Sequence, residues 1–572
     1  MQNEDLDSKL NKREKFKARL RPYDYFEQFE SLDFENLGEG DRFYLQDFGI
    51  FTTDFLEDEF TMRLRVAAGR LTLEQFGYIA DVVKEYDLTI ILTARGGIQL
   101  HELEAENVLE IWKKLNSQGL TTWQSFGDNV RNIVTDVYDG NGIYNEIEVY
   151  PIIMAMQDYI VKNPRYVGML PRRVSIGISG NRANVNSFFA NDIYFALAKK
   201  GDDFGFNVYM GGKNTEVAQD ADIFLLADEV IEFFKAFVEA FYLHGSRFSR
   251  SKTRLFYMIE SIGLDTLKKH IETEYKKPLE SAGELQLEYV HFSQNESLKD
   301  GTYSFCYQTD FARISTDEMK QLYKFAQEQD AEIRIGIDQN IYLLGLKSKE
   351  TPFTSPKLSA TIIACAGNLC PYSFWSIKNE TQYLPLEKIN EHSISVGFSG
   401  CAKGCGRHRH TDIGLIGLKT NNFGDTEGGA RVYIGAQHSD GQSVGRMLFS
   451  MVPLIHLNDT LSLVINLYEQ SGYKIFEDFS KNVLNNYSEE FLGIWLLVNL
   501  ATKQNIKLQE LNSKESFEFE KELLLKEFSH VEFVDLVENS FTLCVNALSK
   551  KLWTVEGKDP NYKPPIERSV IR

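Results

Sequence analysis

Four cysteines stand in two close pairs, Cys365 with Cys370 in ACAGNLCPYSFW and Cys401 with Cys405 in SGCAKGCGRHRH; the chain has only two others, Cys306 and Cys544. Four thiolates gathered in one stretch can bind a structural zinc ion or an iron–sulfur cluster, and spacings of four and three intervening residues suit either. Pro371 directly after Cys370, and glycines at 367, 400, 404 and 406, tilt the reading toward a cluster, because glycine lets backbone amides approach the sulfurs. His408 and His410 flank the second pair and are candidates for proton delivery. Cys306 and Cys544 lie in apolar runs and read as core residues.

A second chemistry is cationic. In TMRLRV, strand alternation sets Met62, Leu64 and Val66 on one face and Arg63 with Arg65 on the other. Arg95 follows the apolar run LTIILTA, Arg131 lies in GDNVRNIV, and Arg172 with Arg173 lies in MLPRRVSIGISG. The planar guanidinium fork suits fixed binding of carboxylates and small oxyanions.

The elements that position these groups occur twice. Residues 60–103 align without a gap to residues 303–346, each copy reading as a strand, a turn ending at Arg70 or Arg313, a helix with Thr72 or Ser315 as N-cap, and two further strands. Downstream of each copy a second segment repeats: SIGISGNRANVN from Ser175 lies on SVGFSGCAKGCG from Ser395, followed by NVYMGG at Asn207 and RVYIGA at Arg431. The chain is thus two related halves, residues 41–285 and 286–500, with a tail beyond. Asn181 and Val185 occupy the places of Cys401 and Cys405, so only the second half can hold the metal centre. Conversely Arg63, Arg65 and Arg95 face Cys306, Gln308 and Asp338, so only the first half carries those cations. One half supplies electrons and the other holds an anion.

The net charge of −20 argues against nucleic acid as a partner. No apolar run approaches the length of a membrane span, and the first residues lack the apolar region of a signal peptide, so no membrane association and a cytoplasmic home are expected. A reducing compartment favours metal binding over disulfides for the paired cysteines. Lys9 to Arg21 is locally basic, either a solvated amphipathic helix or a docking patch for an acidic protein. No glycine-rich dinucleotide or flavin fingerprint follows a strand.

Taken together, LNKREKFKA, DRFYLQDFGIF, TMRLRVAAGRLT, LTARGGIQLHEL, GDNVRNIV, LPRRVSIGISG, ACAGNLC and SGCAKGCGRHRHTDIGLIG make the chain, over residues 9–500, resemble the sirohaem-containing nitrite and sulfite reductases. The resemblance implies an α/β (α+β) three-domain sirohaem reductase fold with an internal pseudo-two-fold repeat. Its parts would be a basic leader (1–40), paired ferredoxin-like half domains (41–105 and 286–350), a first sirohaem-binding α/β domain (106–285), a [4Fe-4S]/sirohaem-binding α/β domain (351–500) and a charged helical tail (501–572).

It further implies one sirohaem coupled to one [4Fe-4S] cluster, with Cys365, Cys370, Cys401 and Cys405 as cluster ligands and Cys405 also the axial ligand of the sirohaem iron. Arg63, Arg131 and Arg173, with Ser175, would line the substrate pocket, and Arg65, Arg95, Arg172 and Asn132 would meet the sirohaem. The implied reaction is six-electron reduction of nitrite to ammonia, or of sulfite to sulfide, with ferredoxin as donor. Other classes are a corrinoid-biosynthesis or electron-transfer relative and, outside the family, a zinc-stapled binding protein.

Three departures stand out. The first cysteine pair has four intervening residues where the family usually has five, Arg173 stands where the family has lysine, and Ser175 stands where sulfite reductases usually carry a second lysine and nitrite reductases an asparagine. Sulfite is largely a dianion near neutral pH and nitrite a monoanion, so the missing cation at Ser175 favours nitrite. GNLC and TDIGLIG look like the nitrite-reductase versions of the cysteine motifs.

Overall fold

The computed structural model describes residues 10–53, 59–184, 186–290, 292–353, 362–419, 423, 428–528, 537 and 540–554. It forms two compact units, Met1–Pro356 and Lys357–Arg572.

In the first unit the tandem copies build two antiparallel sheets. Strands β1 (Ile50–Phe51), β2 (Glu59–Leu64), β3 (Arg70–Leu71), β4 (Thr89–Leu92) and β5 (Ile98–Glu104) come from the first copy. One sheet has the order β1-β2-β5-β4. Helices Leu73–Glu85 and Thr316–Gln329 begin at Thr72 and Ser315, whose hydroxyls accept from the amides of Gln75 and Glu318 in matching capping boxes. The small strand β3 leaves its own copy: Arg70 and Leu71 pair with Arg334 and Ile333 in the sheet of the second copy. The reciprocal bridge joins Ile91 of the first copy to Arg313 of the second. In the repeat alignment each bridge is the image of the other, so the half domains exchange backbone symmetrically and share one apolar core. Gly69 makes the crossing possible: it adopts φ +70°, and a Cβ there would lie 2.1 Å from the Ile335 carbonyl oxygen.

The unit's third sheet uses β6 (Ile176–Ser179), β7 (Ile193–Lys200), β8 (Asp203–Met210), β9 (Gln219–Leu225) and β10 (Glu284–Leu285), ordered β10-β7-β8-β9 with β6 parallel to β7. The segment around Val130 and Val134 runs parallel to β6 through bridges to Val174 and Gly177. β6 is buried along its whole length, as an apolar central strand requires. The second copy's half-domain sheet adds β11 (Tyr303–Tyr307), β12 (Glu332–Ile335) and β13 (Ile341–Leu346) in the order β11-β13-β12-β3.

The second unit holds β14 (Ile362–Ala364), β15 (Val396–Ser399), β16 (Ile413–Leu418), β17 (Gly429–Ile434) and β18 (Arg446–Pro453) in sequential order. Its parallel pair β15–β16 sets Val396 opposite Ile413, as β6–β7 sets Ile176 opposite Ile193. Helix Leu454–Ser471 follows β18 as Val230–His244 follows β9. The described part of the tail is packed, not extended: Phe528 meets Trp495 edge-on at 4.8 Å, Trp553 meets Phe449 at 5.1 Å, and Cys544 is buried. Leu523, Leu524 and Phe528 form its buried face, together with Glu520, which accepts from the amide and hydroxyl of Ser488 at 2.6 Å each.

Candidate active site and metal centre

Arginines of the first unit converge on the loop 125–131. Arg131, at its end, is buried and donates to the carbonyls of Ser125 and Gly127, the latter at 2.9 Å. Burial drives its guanidinium well below the usual range, and Arg63, Arg173 and Arg95 press it further the same way. The neighbouring carboxylate, Asp128, is already engaged by Lys17 at 3.0 Å and by both terminal nitrogens of Arg250. The Arg131 Nε and the Arg172 Nε are buried without a hydrogen-bond acceptor among the described residues, and the Asn132 Oδ1 without a donor. Arg63 lies over the ring of Phe126 at 3.9 Å and donates to the Ser125 carbonyl at 3.2 Å. This is a cation-rich place whose charge suits an anion.

Arg65 shares the strand face of Arg63, as alternation predicts, but its donors are committed. They reach Gln157 Oε1 at 3.2 Å, Val130 O at 2.8 Å and Arg131 O at 2.9 Å. It braces the loop that presents Arg131. Asn132 donates to the carbonyls of Val66 and Arg95, at 2.5 and 2.8 Å, so it holds the turn carrying Arg95. Ser175 is fully buried: its amide and hydroxyl both donate to Asp192 Oδ2, at 2.8 and 2.6 Å, and its oxygen accepts from the Asp192 amide at 3.0 Å. Ser395 and Asp412 make the same three bonds in the second copy. The Ser175 hydroxyl therefore belongs to a clasp common to both halves.

Part of the basic N-terminal segment is turned inward, while Lys12, Lys15 and Arg19 are exposed and Lys9 lies outside the described residues. Helix Lys12–Arg19 buries Lys17 between Glu14 and Asp128, and Arg247 closes the network on Glu14 at 2.7 Å. Sequence charge patterning did not anticipate this. Lys17 supports the arginine loop from inside and is not part of a docking surface.

In the second unit, Cys365 follows β14, Cys370 closes the short turn Gly367–Leu369, and Cys401 with Cys405 lies in the loop between β15 and β16. Cys365 Sγ accepts from the amides of Gly367 at 3.3 Å and Gly400 at 3.1 Å. Cys370 and Cys401 likewise accept from Tyr372 and Lys403, each two residues on. Burial pushes the thiols of Cys365, Cys370 and Cys401 up, that of Cys370 to about 11, and repulsion from Cys405 adds to it at all three. The four sulfurs thus lie within electrostatic reach of one another. Cys405 is the exposed one. A Cβ on Gly400 would meet Ser373 Oγ at 1.9 Å, so only glycine brings that amide to the sulfur. Among the described residues no three His, Cys, Asp or Glu side chains close tightly enough to hold a single metal ion; a cubane takes its thiolates at its corners, farther apart.

His408 is buried against Ser399 Oγ at 3.1 Å, and burial, with Arg409 and Arg431 beside it, lowers its pKa to about 4. It is neutral near pH 7 and no ready proton donor. His410 is buried as well.

The first half fills the corresponding place with polar side chains. Strand register puts Asp136 where the second half has Cys365 and Asn181 where it has Cys401, and Asn181 Nδ2 donates to Asp136 Oδ1 at 3.2 Å. Val185, opposite Cys405, lies outside the described residues.

Known proteins match this arrangement. The family described as "Nitrite and sulphite reductase 4Fe-4S domain" matches residues 126–279, and "Nitrite/Sulfite reductase ferredoxin-like half domain" matches residues 56–118. A ferredoxin–nitrite reductase of Synechococcus elongatus is 28% identical over 489 residues, covering 79% of this chain and 95% of that protein. The assimilatory ferredoxin-dependent nitrite reductase of Haloferax mediterranei is 26% identical, covering 80% and 89%. The chain is similar to the nitrite and sulfite reductases.

The solved structure of the Mycobacterium tuberculosis NirA protein shares the fold, with a TM-score of 0.74 at 22% identity, covering 82% of this chain and 96% of that one. For this chain the resemblance in sequence implies sirohaem and a [4Fe-4S] cluster, the second of which appears in the name of the matched family. The chain's residues fit both groups: amide-lined thiols suit a thiolate-bound cluster, and buried arginine nitrogens without acceptors suit a carboxylate-bearing tetrapyrrole and a small anion. The matched 4Fe-4S domain, residues 126–279, contains none of the four cysteines, which lie in the second copy of the same architecture.

Proposed function

We propose that the chain reduces nitrite to ammonia, taking six electrons from a ferredoxin in the cytoplasm. The observation that carries this reading is the buried Arg131, crowded by Arg63, Arg95 and Arg173, with Asp128 already paired elsewhere. An anion bound there relieves repulsion that the folded protein otherwise bears, and in a water-poor site each such contact is strengthened.

In this reading residues 41–105 and 286–350 are the paired half domains, the first of them contributing Arg63, residues 106–285 are the first sirohaem-binding domain with Arg131 and Arg173, and residues 351–500 carry the cluster. Cys365, Cys370, Cys401 and Cys405 would hold the cluster, Cys405, the exposed thiol, would also hold the sirohaem, and Arg95, Arg172 and Asn132 would bind the sirohaem carboxylates. When bound, the coupled cofactors supply electrons to the nitrogen of nitrite. Arg63, Arg131 and Arg173 bind and orient the anion, with Phe126 holding the Arg63 plane. Arg65 keeps Arg131 in place by gripping its carbonyl. The guanidiniums act as hydrogen-bond donors that order water, and the protons that accompany the six electrons come through that water.

The test is anaerobic turnover of purified protein with a reduced dye and with ferredoxin, comparing kcat/KM for nitrite and sulfite in one buffer. A nitrite preference of tenfold or more is expected. Arg131→Met is expected to raise the nitrite KM strongly while iron and sirohaem content stay unchanged. A sulfite preference overturns the substrate assignment, and an unchanged KM in Arg131→Met overturns the role of the cation cluster.

A further inference from the structure

Lys403 stands midway between Cys401 and Cys405, and its side chain crosses to the other cysteine loop, where its ammonium lies over the Tyr372 ring, 2.9 Å from the centroid. Both partners also touch ligand sulfurs through their amides: Lys403 donates to Cys401, and Tyr372 to Cys370. The pair therefore joins the two cysteine loops and fixes a full positive charge between them, reaching Cys370 and Cys401 alike. A cation seated on an aromatic face is held in place, whereas a free lysine side chain averages over many rotamers. The first half has Ala183 at the matching position and no such charge.

We propose that the Lys403–Tyr372 clasp raises the reduction potential of the cluster, making it a better acceptor for the electron a ferredoxin-class donor delivers. Uptake of one electron adds one negative charge to a centre already surrounded by thiolates, and a fixed cation nearby stabilises the reduced form relative to the oxidised one. The charge matters more in a chain whose net charge is −20, which otherwise disfavours added electrons. This inference rests on the assignment of the four cysteines to the cluster.

Redox titration of the holoprotein, followed by the electron paramagnetic resonance signal of the reduced cluster, tests it. Lys403→Met is expected to lower the midpoint potential by about tenfold in the one-electron equilibrium, ~59 mV. Lys403→Arg is expected to stay within about twofold of the wild type, and Tyr372→Leu, which keeps the charge but removes its seat, to fall by about threefold. Iron and acid-labile sulfide report assembly separately: their absence from the wild-type protein overturns the cysteine assignment and this inference with it. With the cluster present, a Lys403→Met potential within about twofold of the wild type overturns the clasp alone. Should Lys403→Met lose its cluster, an unmoved potential in Tyr372→Leu does the same.

Discussion

Asp47 sits behind the arginine loop, almost fully buried, accepting from Asn129 Nδ2 at 2.6 Å. Burial raises its pKa to about 7; the Asn129 bond opposes this, Asp128 adds to it, and Lys17 and Arg13 pull it back. In the unfolded chain the same carboxyl loses its proton near pH 4. Between about pH 4 and 7 the folded state therefore binds more protons than the unfolded one, and stability falls as pH rises through that window and levels off above it. A gap of about three pH units corresponds to a ceiling of about 4 kcal/mol, and relaxation around the charged form reduces it to about 2–4 kcal/mol.

Asp47→Asn keeps the shape and the acceptor but removes the charge. The first unit spans 356 residues, and at about 2.1 cal/mol/K per residue its unfolding entropy is roughly 0.75 kcal/mol/K, so the effect is about 3–5 °C in Tm. Scanning calorimetry of the full chain at pH 5 and pH 8 spans about two of the three units, so the wild type should lose about 2–3 °C more than Asp47→Asn over that interval. Equal losses in the two proteins would refute the reasoning.

Three further outcomes follow from the same geometry. Ser175→Ala should cost about 1–2 kcal/mol in denaturant unfolding, because the hydroxyl is committed to Asp192, and should leave the nitrite-to-sulfite ratio of kcat/KM within about twofold; a larger change would mean that substrate meets that hydroxyl. Gly400→Ala drives a methyl into Ser373 and should reduce iron and sulfide content to less than about half at unchanged far-UV circular dichroism; full cluster content would contradict it. Lys17→Met should destabilise by about 3 kcal/mol, since it leaves Glu14 and Asp128 buried with one cation fewer each; urea unfolding measures this, and a loss under about 1 kcal/mol would show the network to be dispensable.

Local signals were strong where one residue type has one use. Thr72 and Ser315, each three residues before Gln75 or Glu318, announce helix starts, and the alternation in TMRLRV separates core from cation face. The matched Ser175 and Ser395 segments foretell two sheets of identical register. What escaped depends on contacts far apart in the chain. Arg63 and Arg65 look alike in a strand, and only the carbonyls of Val130 and Arg131 reveal that the second is a brace. A lysine in a basic helix reads as solvated until Asp128, 111 residues on, is found beside it. The polar filling of the first half by Asp136 and Asn181 is visible in sequence only as the lack of cysteine. The two-residue strand β3 is too short to carry a pattern at all.

That short strand bears on how the chain is made. Arg70 and Leu71 leave the ribosome with the first half domain, yet their sheet partners, Arg334 and Ile333, follow some 260 residues later. At about 5–20 residues per second the first half domain waits on the order of tens of seconds with an open backbone edge. Cofactor loading must then follow synthesis of the second copy, because the turn at Gly69 that leads toward Arg63, Arg95 and Asn132 is held on one side by a strand that does not yet exist.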